Sequence, residues 1–304
     1  MKTLIIGGTG MIGGHLAEHL GVLGHDVTLG ARKAPDPAGP QGKMKVLIGD
    51  YAEGGFTPAE LQGFDAVVFA AGNDIRHLSP GTDTDAFWTK MQIEGVPNLV
   101  ARVREAGVPR LVQLGSYYHQ VMPHLAQSDA YVRARKLADE GARALASGTF
   151  NVSTLNPPSI VGIMPGVSAA RYRKLVEWAD GRRPEVPDFA PAGGTNYMSV
   201  RSLAQAVAGA LQRARSGHAY LVGDMNLSFR DFFQMIFDAA GSARQLEERD
   251  APHPILPDAF IVPGRGVRLS YEPDPAETAL LGYDRNDIPR AISEIIAQVR
   301  GGAG

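Results

Sequence analysis

Short apolar runs and helix-spaced apolar positions alternate along the first half of the chain. Thr3-Leu4-Ile5-Ile6 is an apolar run stopped by Gly7-Gly8, the pattern of a strand buried on both faces. Ile12, Leu16, Leu20 and Leu23 then recur at helical steps, with Gly24 in the place of a C-terminal cap. Residues 26–29, 45–48, 64–71 (around Ala66-Val67-Val68-Phe69), 110–114 and 151–155 read as five further strands. Helical patterns at 83–106, closed by Gly107, and at 129–146 lie between the later ones. The proline- and glycine-rich stretch 34–42 reads as an exposed loop.

Strands that alternate with helices pair in parallel, because each crossover consumes a dozen or more residues. Right-handed crossovers then give an α/β fold, a doubly wound parallel sheet of Rossmann type. After Asn156-Pro157-Pro158 the rhythm changes to helices near 169–179, 200–214, 229–240 and 288–299, separated by proline-rich loops. We therefore expect a dinucleotide-binding domain over 1–156. A smaller, mostly helical part over 157–304 is expected to form the substrate pocket and close over the cofactor cleft.

Gly7, Gly10 and Gly13 stand between the first strand and the first helix in G-x-x-G-x-x-G spacing. One lets the chain turn sharply, one leaves room for a pyrophosphate, and one lets helix and sheet pack closely. The helix N-terminus, with Thr9, Met11 and Ile12 around it, offers unpaired N–H groups to phosphate. A dinucleotide site is thus expected here; a ligand-free glycine turn is the alternative. Nineteen residues past Gly13, near where an NAD site places an acid, stand Arg32 and Lys33. Arginine suits a ribose 2′-phosphate, so NADP is expected in preference to NAD.

Gly7-Gly8-Thr9-Gly10-Met11-Ile12-Gly13, Gly49-Asp50, Ala70-Ala71-Gly72, Leu114-Gly115-Ser116, Lys136-Leu137-Ala138-Asp139-Glu140 and Asn156-Pro157-Pro158 resemble the motifs of an extended short-chain dehydrogenase/reductase. That family belongs to the NAD(P)-dependent epimerase/dehydratase superfamily. The resemblance implies that Asp50 faces the adenine, that Ala70, Ala71, Gly72 and Pro157 line the cofactor, and that Ser116 orients a reacting oxygen. It also implies a homodimer, paired through the helices that follow the fourth and fifth strands.

The family's catalytic Tyr-x-x-x-Lys is altered: Tyr131 is followed by Arg135 at four residues and Lys136 at five. Positions four apart on a helix differ by about 40° and positions five apart by about 140°, so a regular helix sets Arg135 beside Tyr131. An arginine there would hold ribose hydroxyls and lower a neighbouring phenol's pKa. A one-residue bulge would bring Lys136 round instead. Tyr131 is the expected acid or base; Tyr117 or Tyr118 is the substitute if Val132 occupies its place. His119 and His124 read as solvent-facing loop residues. Tyr172, Trp178, Phe189 and Tyr197 are candidate pocket aromatics or core; Arg171, Arg173, Arg182 and Arg183 are candidate diphosphate ligands or a solvated face.

Composition narrows the partners. Lysine and arginine total 30 against 32 acidic residues, a net charge of -2, which gives no electrostatic footprint for nucleic acid or a membrane surface. There are no cysteines and no metal-ligand spacing, so disulfides, thiolate metal sites and a bound metal are not expected. No apolar stretch approaches the roughly 18 residues of a membrane span, and a cytoplasmic protein is expected. The activity these readings favour is NADP-dependent hydride transfer to or from a carbonyl or alcohol on a small, mostly apolar substrate. The alternatives are a nucleotide-sugar epimerase or dehydratase and a non-catalytic, NADP-sensing regulatory protein.

Overall fold

The computed structural model describes residues 1–79, 81–164 and 169–301. The chain divides into two compact units, and both are interleaved in sequence. The first unit comprises Met1–Pro157, Leu203–Val222 and Asp274–Tyr283. The chain first leaves it after Pro157.

The first unit is built on a seven-stranded parallel sheet. Its strands are β1 (Lys2–Ile6), β2 (Asp26–Ala31), β3 (Lys45–Ile48), β4 (Ala66–Phe69), β5 (Arg110–Leu114) and β6 (Asn151–Asn156), then β10 (Ala219–Leu221) from the later chain. Their order is β10-β6-β5-β4-β1-β2-β3, so the chain reverses direction across the sheet between β1 and β4. In such sheets ligands bind at that switch point, beyond the carboxyl ends of the strands. The inner strands are buried on both faces (Leu4, Val67, Val68, Leu111 and Val112 are wholly inaccessible), which is why they read as unbroken apolar runs. Helices Met11–Val22, Gly95–Glu105 and Ala130–Arg143 flank them.

Two connections depart from the simple pattern. The helix expected over 83–106 is α-helical at Thr84–Trp88 and Gly95–Glu105, with a π-helical stretch at Thr89–Glu94 between. Pro97 has no N–H to continue the α ladder, and Gly95 lies so close to the Lys90 carbonyl that a Cβ would collide with it. The β2–β3 crossover has no helix at all; residues 32–44 pass through a succession of turns.

The second unit comprises Pro158–Ser202, Gly223–Pro273 and Asp284–Gly304. Helices Ala170–Ala179, Phe229–Ala239 and Ile288–Gly301 bury Trp178, Phe237 and Ile292 against one another. It also holds two small sheets that the hydrophobic pattern does not announce. One joins β7 (Ser159–Val161), β9 (Gly194–Ser199) and β11 (Met225–Ser228); the other pairs β8 (Phe189–Pro191) with β12 (Glu247–Arg249). Among the described residues no helix is long and apolar enough to cross a membrane.

Candidate active site

β1 ends at Ile6, and the chain turns off it through Gly7 at φ +88°, a conformation only glycine adopts freely. A Cβ on Gly7 would lie 2.6 Å from the Ala71 nitrogen, so the loop and the end of β4 touch backbone to backbone. A Cβ on Gly13 would collide with the Gly7 carbonyl, which sets how closely the helix approaches the strand. Gly10 occupies the N-cap of the Met11–Val22 helix with no side chain capping it, and the first turn carries no acid. The N–H groups of that turn have no partner within the helix, and the partial positive charge there favours an anion. This cradle, closed to any Cβ on two sides and lacking a built-in cap, fits the pyrophosphate of a dinucleotide.

The Gly7 and Gly8 N–H groups both donate to the Gly30 carbonyl on β2, at 2.8 and 3.2 Å. Directly beyond, Arg32 and Lys33 are exposed and form no ion pair among the described residues. Residues 30–34 at this strand end include no acid. Asp50 follows β3 and spends one carboxylate oxygen on the Ala52 N–H at 3.0 Å. Ala70, Ala71 and Gly72 follow β4 and are half-buried to exposed.

Tyr51, which the sequence reading passed over, lies between these segments. Its hydroxyl donates to the Met91 carbonyl at 2.8 Å and accepts from the Asn73 amide at 2.9 Å. Burial pushes its pKa up to about 12, against the opposing Asn73 hydrogen bond and Arg135 charge. A tyrosine whose folded pKa exceeds its unfolded value, near 10, stabilises the fold fully below pH 10 and loses that contribution as pH rises through 12. Urea titrations at pH 9 and pH 11.5 should therefore show a smaller loss of stability in Tyr51→Phe than in the parent. An equal loss in both would rule Tyr51 out as the source.

The Ala130–Arg143 helix is capped by Asp129, whose carboxylate accepts the Val132 N–H at 2.8 Å. It is a regular α-helix, so residues 131 and 135 share a face. Arg135 is 6% exposed, and its Nη2 donates to the Leu114 carbonyl at 3.0 Å and the Gly115 carbonyl at 2.5 Å. Its Nη1 lies 3.3 Å from where a Cβ on Gly72 would be, so the guanidinium bridges the ends of β5 and β4. Lys136 is on another face, with its ammonium 3.8 Å from Glu140 and the side chain 44% exposed. Val132 is wholly buried. The Tyr131 ring is half-buried, 5.2 Å from the Trp88 ring and 6.3 Å from that of Tyr118, and Tyr118 lies 4.2 Å from Tyr117. Ser116, 5% exposed, follows β5 directly.

Residues 3–223 match the model of the NAD dependent epimerase/dehydratase family. The chain belongs to that family. Sterol demethylase protein B of Methylococcus capsulatus is 22% identical over 257 residues, which is 80% of this chain and 76% of that one. UDP-glucose-4-epimerase from Stenotrophomonas maltophila, solved with NAD and formylated UDP-arabinopyranose, superposes with a TM-score of 0.76 at 19% identity over 100% of both chains. The human epimerase family protein SDR39U1 (isoform2), solved with NADPH, gives a TM-score of 0.68 at 20% identity over 98% of this chain and 99% of that one. At such identities the structures speak for the fold. Family membership and the cradle together make this epimerase/dehydratase homologue a nicotinamide-dinucleotide protein.

One expectation about its polar residues changes. His119 is buried rather than solvent-facing, because its Nε2 lies 3.0 Å from the wholly buried Asp139 carboxylate. His124 is exposed. Of the four arginines considered as diphosphate ligands, Arg182 pairs with Asp180 and Arg183 with Glu177 and Glu185, while Arg171 and Arg173 are exposed. Tyr172, Trp178, Phe189 and Tyr197 are all buried in the second unit, where Trp178 packs edge-on to Phe237 and Tyr197 stacks on Phe232.

Proposed function

We propose that this protein is an NADP-dependent oxidoreductase acting on a carbonyl or alcohol of a small, mostly apolar substrate. The observation that carries the reading is the buried Arg135 guanidinium, tied to the Leu114 and Gly115 carbonyls on the helix face it shares with Tyr131. Nη2 makes both of those bonds, which leaves Nε and Nη1 to donate to ribose hydroxyls beside Gly72. Gly7, Thr9, Gly10, Met11, Ile12 and Gly13 hold the pyrophosphate in this reading. Ala70, Ala71, Gly72 and Pro157 border the nicotinamide half, and Asp50 borders the adenine.

When bound, the dinucleotide supplies or takes up hydride. Tyr131 gives the matching proton to the substrate oxygen, or removes it, and the Ser116 hydroxyl orients that oxygen by a hydrogen bond. Arg135 keeps its charge throughout and fixes the position of the ribose relative to the phenol. Trp88 and Tyr118 beside Tyr131 make an aromatic surrounding suited to an apolar ring system, and a relative named for sterol demethylation points the same way.

The test is direct titration of NADPH and NADH, followed by NADPH oxidation with a panel of steroid ketones and aromatic aldehydes. NADPH is expected to bind at least tenfold tighter, and Arg32→Asp to abolish that preference through loss of a charge-assisted phosphate contact. Equal affinities in the parent would defeat the NADP assignment. Firm NADPH binding without turnover of any carbonyl would replace the enzyme by a cofactor sensor. A second reading, a nucleotide-sugar epimerase or dehydratase, is favoured by the UDP-linked ligand of the Stenotrophomonas structure. It requires cofactor retained through the cycle, so NAD recovered stoichiometrically from the denatured protein would support it.

A further inference from the structure

The connection from β2 to β3 is unusual for this sheet in having no helix, and it begins with the two cations assigned to the cofactor. Its residues are exposed or half-buried, with one exception. Gln41 is 5% exposed, and its Nε2 donates to the Gly8 carbonyl at 2.7 Å. A buried side-chain amide reaching 33 residues back to the backbone of the glycine loop is not explained by packing of the connection itself.

The connection is otherwise self-contained. The Asp36 side chain accepts the Ala38 N–H at 2.9 Å, and the Asp36 carbonyl accepts the Gly39 N–H at 2.9 Å. Gly42 donates to the Gly39 carbonyl and Met44 to the Gln41 carbonyl, each at 3.0 Å. A Cβ on Gly42 would collide with the Pro37 carbonyl. Residues 36–44 thus form a compact loop stapled by its own turns, of the kind that often carries function. Two attachments join it to the cofactor site: Gly30 at its root, whose carbonyl receives the Gly7 and Gly8 N–H groups, and Gln41 at its far side. The glycine loop keeps its shape from the first attachment and from the Gly13 contact. The second attachment fixes the stapled loop, and with it the direction in which residues 32 and 33 leave the strand.

We propose that Gln41 is a positioning residue for cofactor choice. By pinning the 36–44 loop to Gly8 it holds Arg32 and Lys33 over the 2′-phosphate of the adenosine ribose. This inference rests on the NADP reading above. Unpinned, the two long cationic side chains would lose the fixed backbone from which they reach the phosphate, while the pyrophosphate cradle would stay as it is. Gln41 would then act on the 2′-phosphate and leave the rest of the dinucleotide nearly untouched.

The experiment measures the binding of 2′,5′-ADP and 5′-ADP by calorimetry to the full-length parent, Gln41→Met and Arg32→Ala. The methionine keeps the volume and apolar packing of Gln41 and removes its donor. In the parent 2′,5′-ADP is expected to bind at least tenfold tighter than 5′-ADP. Gln41→Met is expected to weaken 2′,5′-ADP by about 3- to 10-fold, the worth of one hydrogen bond, and 5′-ADP by less than about twofold. Gln41→Asn keeps the amide but falls short of Gly8; it carries the same expectation and stands in if the methionine variant does not fold. No discrimination in the parent would remove the NADP reading and this inference with it. Discrimination in the parent that Arg32→Ala loses and both Gln41 variants retain would overturn the inference alone. Equal weakening of both ligands in the Gln41 variants would reduce Gln41 to a prop for the glycine loop, and would overturn it too.

Discussion

Tyr131→Phe is expected to lower kcat by a factor of about 10²–10⁴, the usual contribution of a positioned acid or base, while leaving NADPH affinity within about threefold. The ring is held by carbon contacts: Trp88 packs against it at 5.2 Å and Tyr118 meets it edge-on at 6.3 Å. Phenylalanine keeps both, and each aromatic pair is worth about 0.5–1.5 kcal/mol. The substitution removes the hydroxyl and keeps the ring. Steady-state rates on the best ketone of the panel, paired with NADPH titration, separate the two quantities. A kcat within threefold of the parent would move the proton-transfer role to Tyr117 or Tyr118, and either Tyr117→Phe or Tyr118→Phe would then be the variant that loses activity. A matching loss of NADPH affinity would mean instead that the phenol serves the cofactor and not the substrate.

The residues of this site differ in how far the sequence exposes them. The glycine loop was legible because each glycine meets a steric demand that recurs in the structure: a positive φ at Gly7 and a helix contact at Gly13 that admits no Cβ. The strands of the first unit were legible because a parallel strand covered on both faces is apolar throughout. β10 was not, since three residues make no pattern, and β12, Glu247–Arg249, is wholly polar and exposed. The π-helical stretch escaped because apolar spacing continues across it, and the change lies in the hydrogen-bond partner. The choice between Arg135 and Lys136 was open to one extra residue in the helix. The structure places its helical irregularity at Thr89–Glu94 and keeps Ala130–Arg143 regular. His119, Tyr51 and Gln41 share a different obscurity. Each sits in a segment that reads as a turn or loop, and each is buried by a partner 20 to 40 residues away. Local pattern carries no trace of such a partner.

Asp139→Ala is expected to destabilise the protein by about 3–5 kcal/mol at pH 7, the cost of removing one member of a buried charged cluster. The Asp139 carboxylate is wholly inaccessible and gathers His119 Nε2 at 3.0 Å, Arg143 Nε at 2.6 Å and Asn156 Nδ2 at 3.2 Å. Burial alone would raise its pKa; hydrogen bonds from His119, Arg143 and Thr154, with the charge of Arg143, outweigh burial and hold it well below the usual carboxylate range. A depressed carboxylate stabilises the fold fully above its unfolded pKa, near 4, and loses that contribution as pH falls toward its folded value. The stability gap between parent and Asp139→Ala should therefore be widest near neutrality and shrink below pH 4. Urea midpoints and slopes at pH 7, 4.5 and 3 measure it. A gap under about 1 kcal/mol at pH 7, or one that stays constant into acid, would refute the account. The same carboxylate joins the helix that carries Tyr131 and Arg135 to the short helix Tyr118–Val121 that carries His119, just after Ser116. A variant population that remains folded should consequently lose turnover while its glycine loop, anchored on Gly30 far from this cluster in sequence, still binds the dinucleotide.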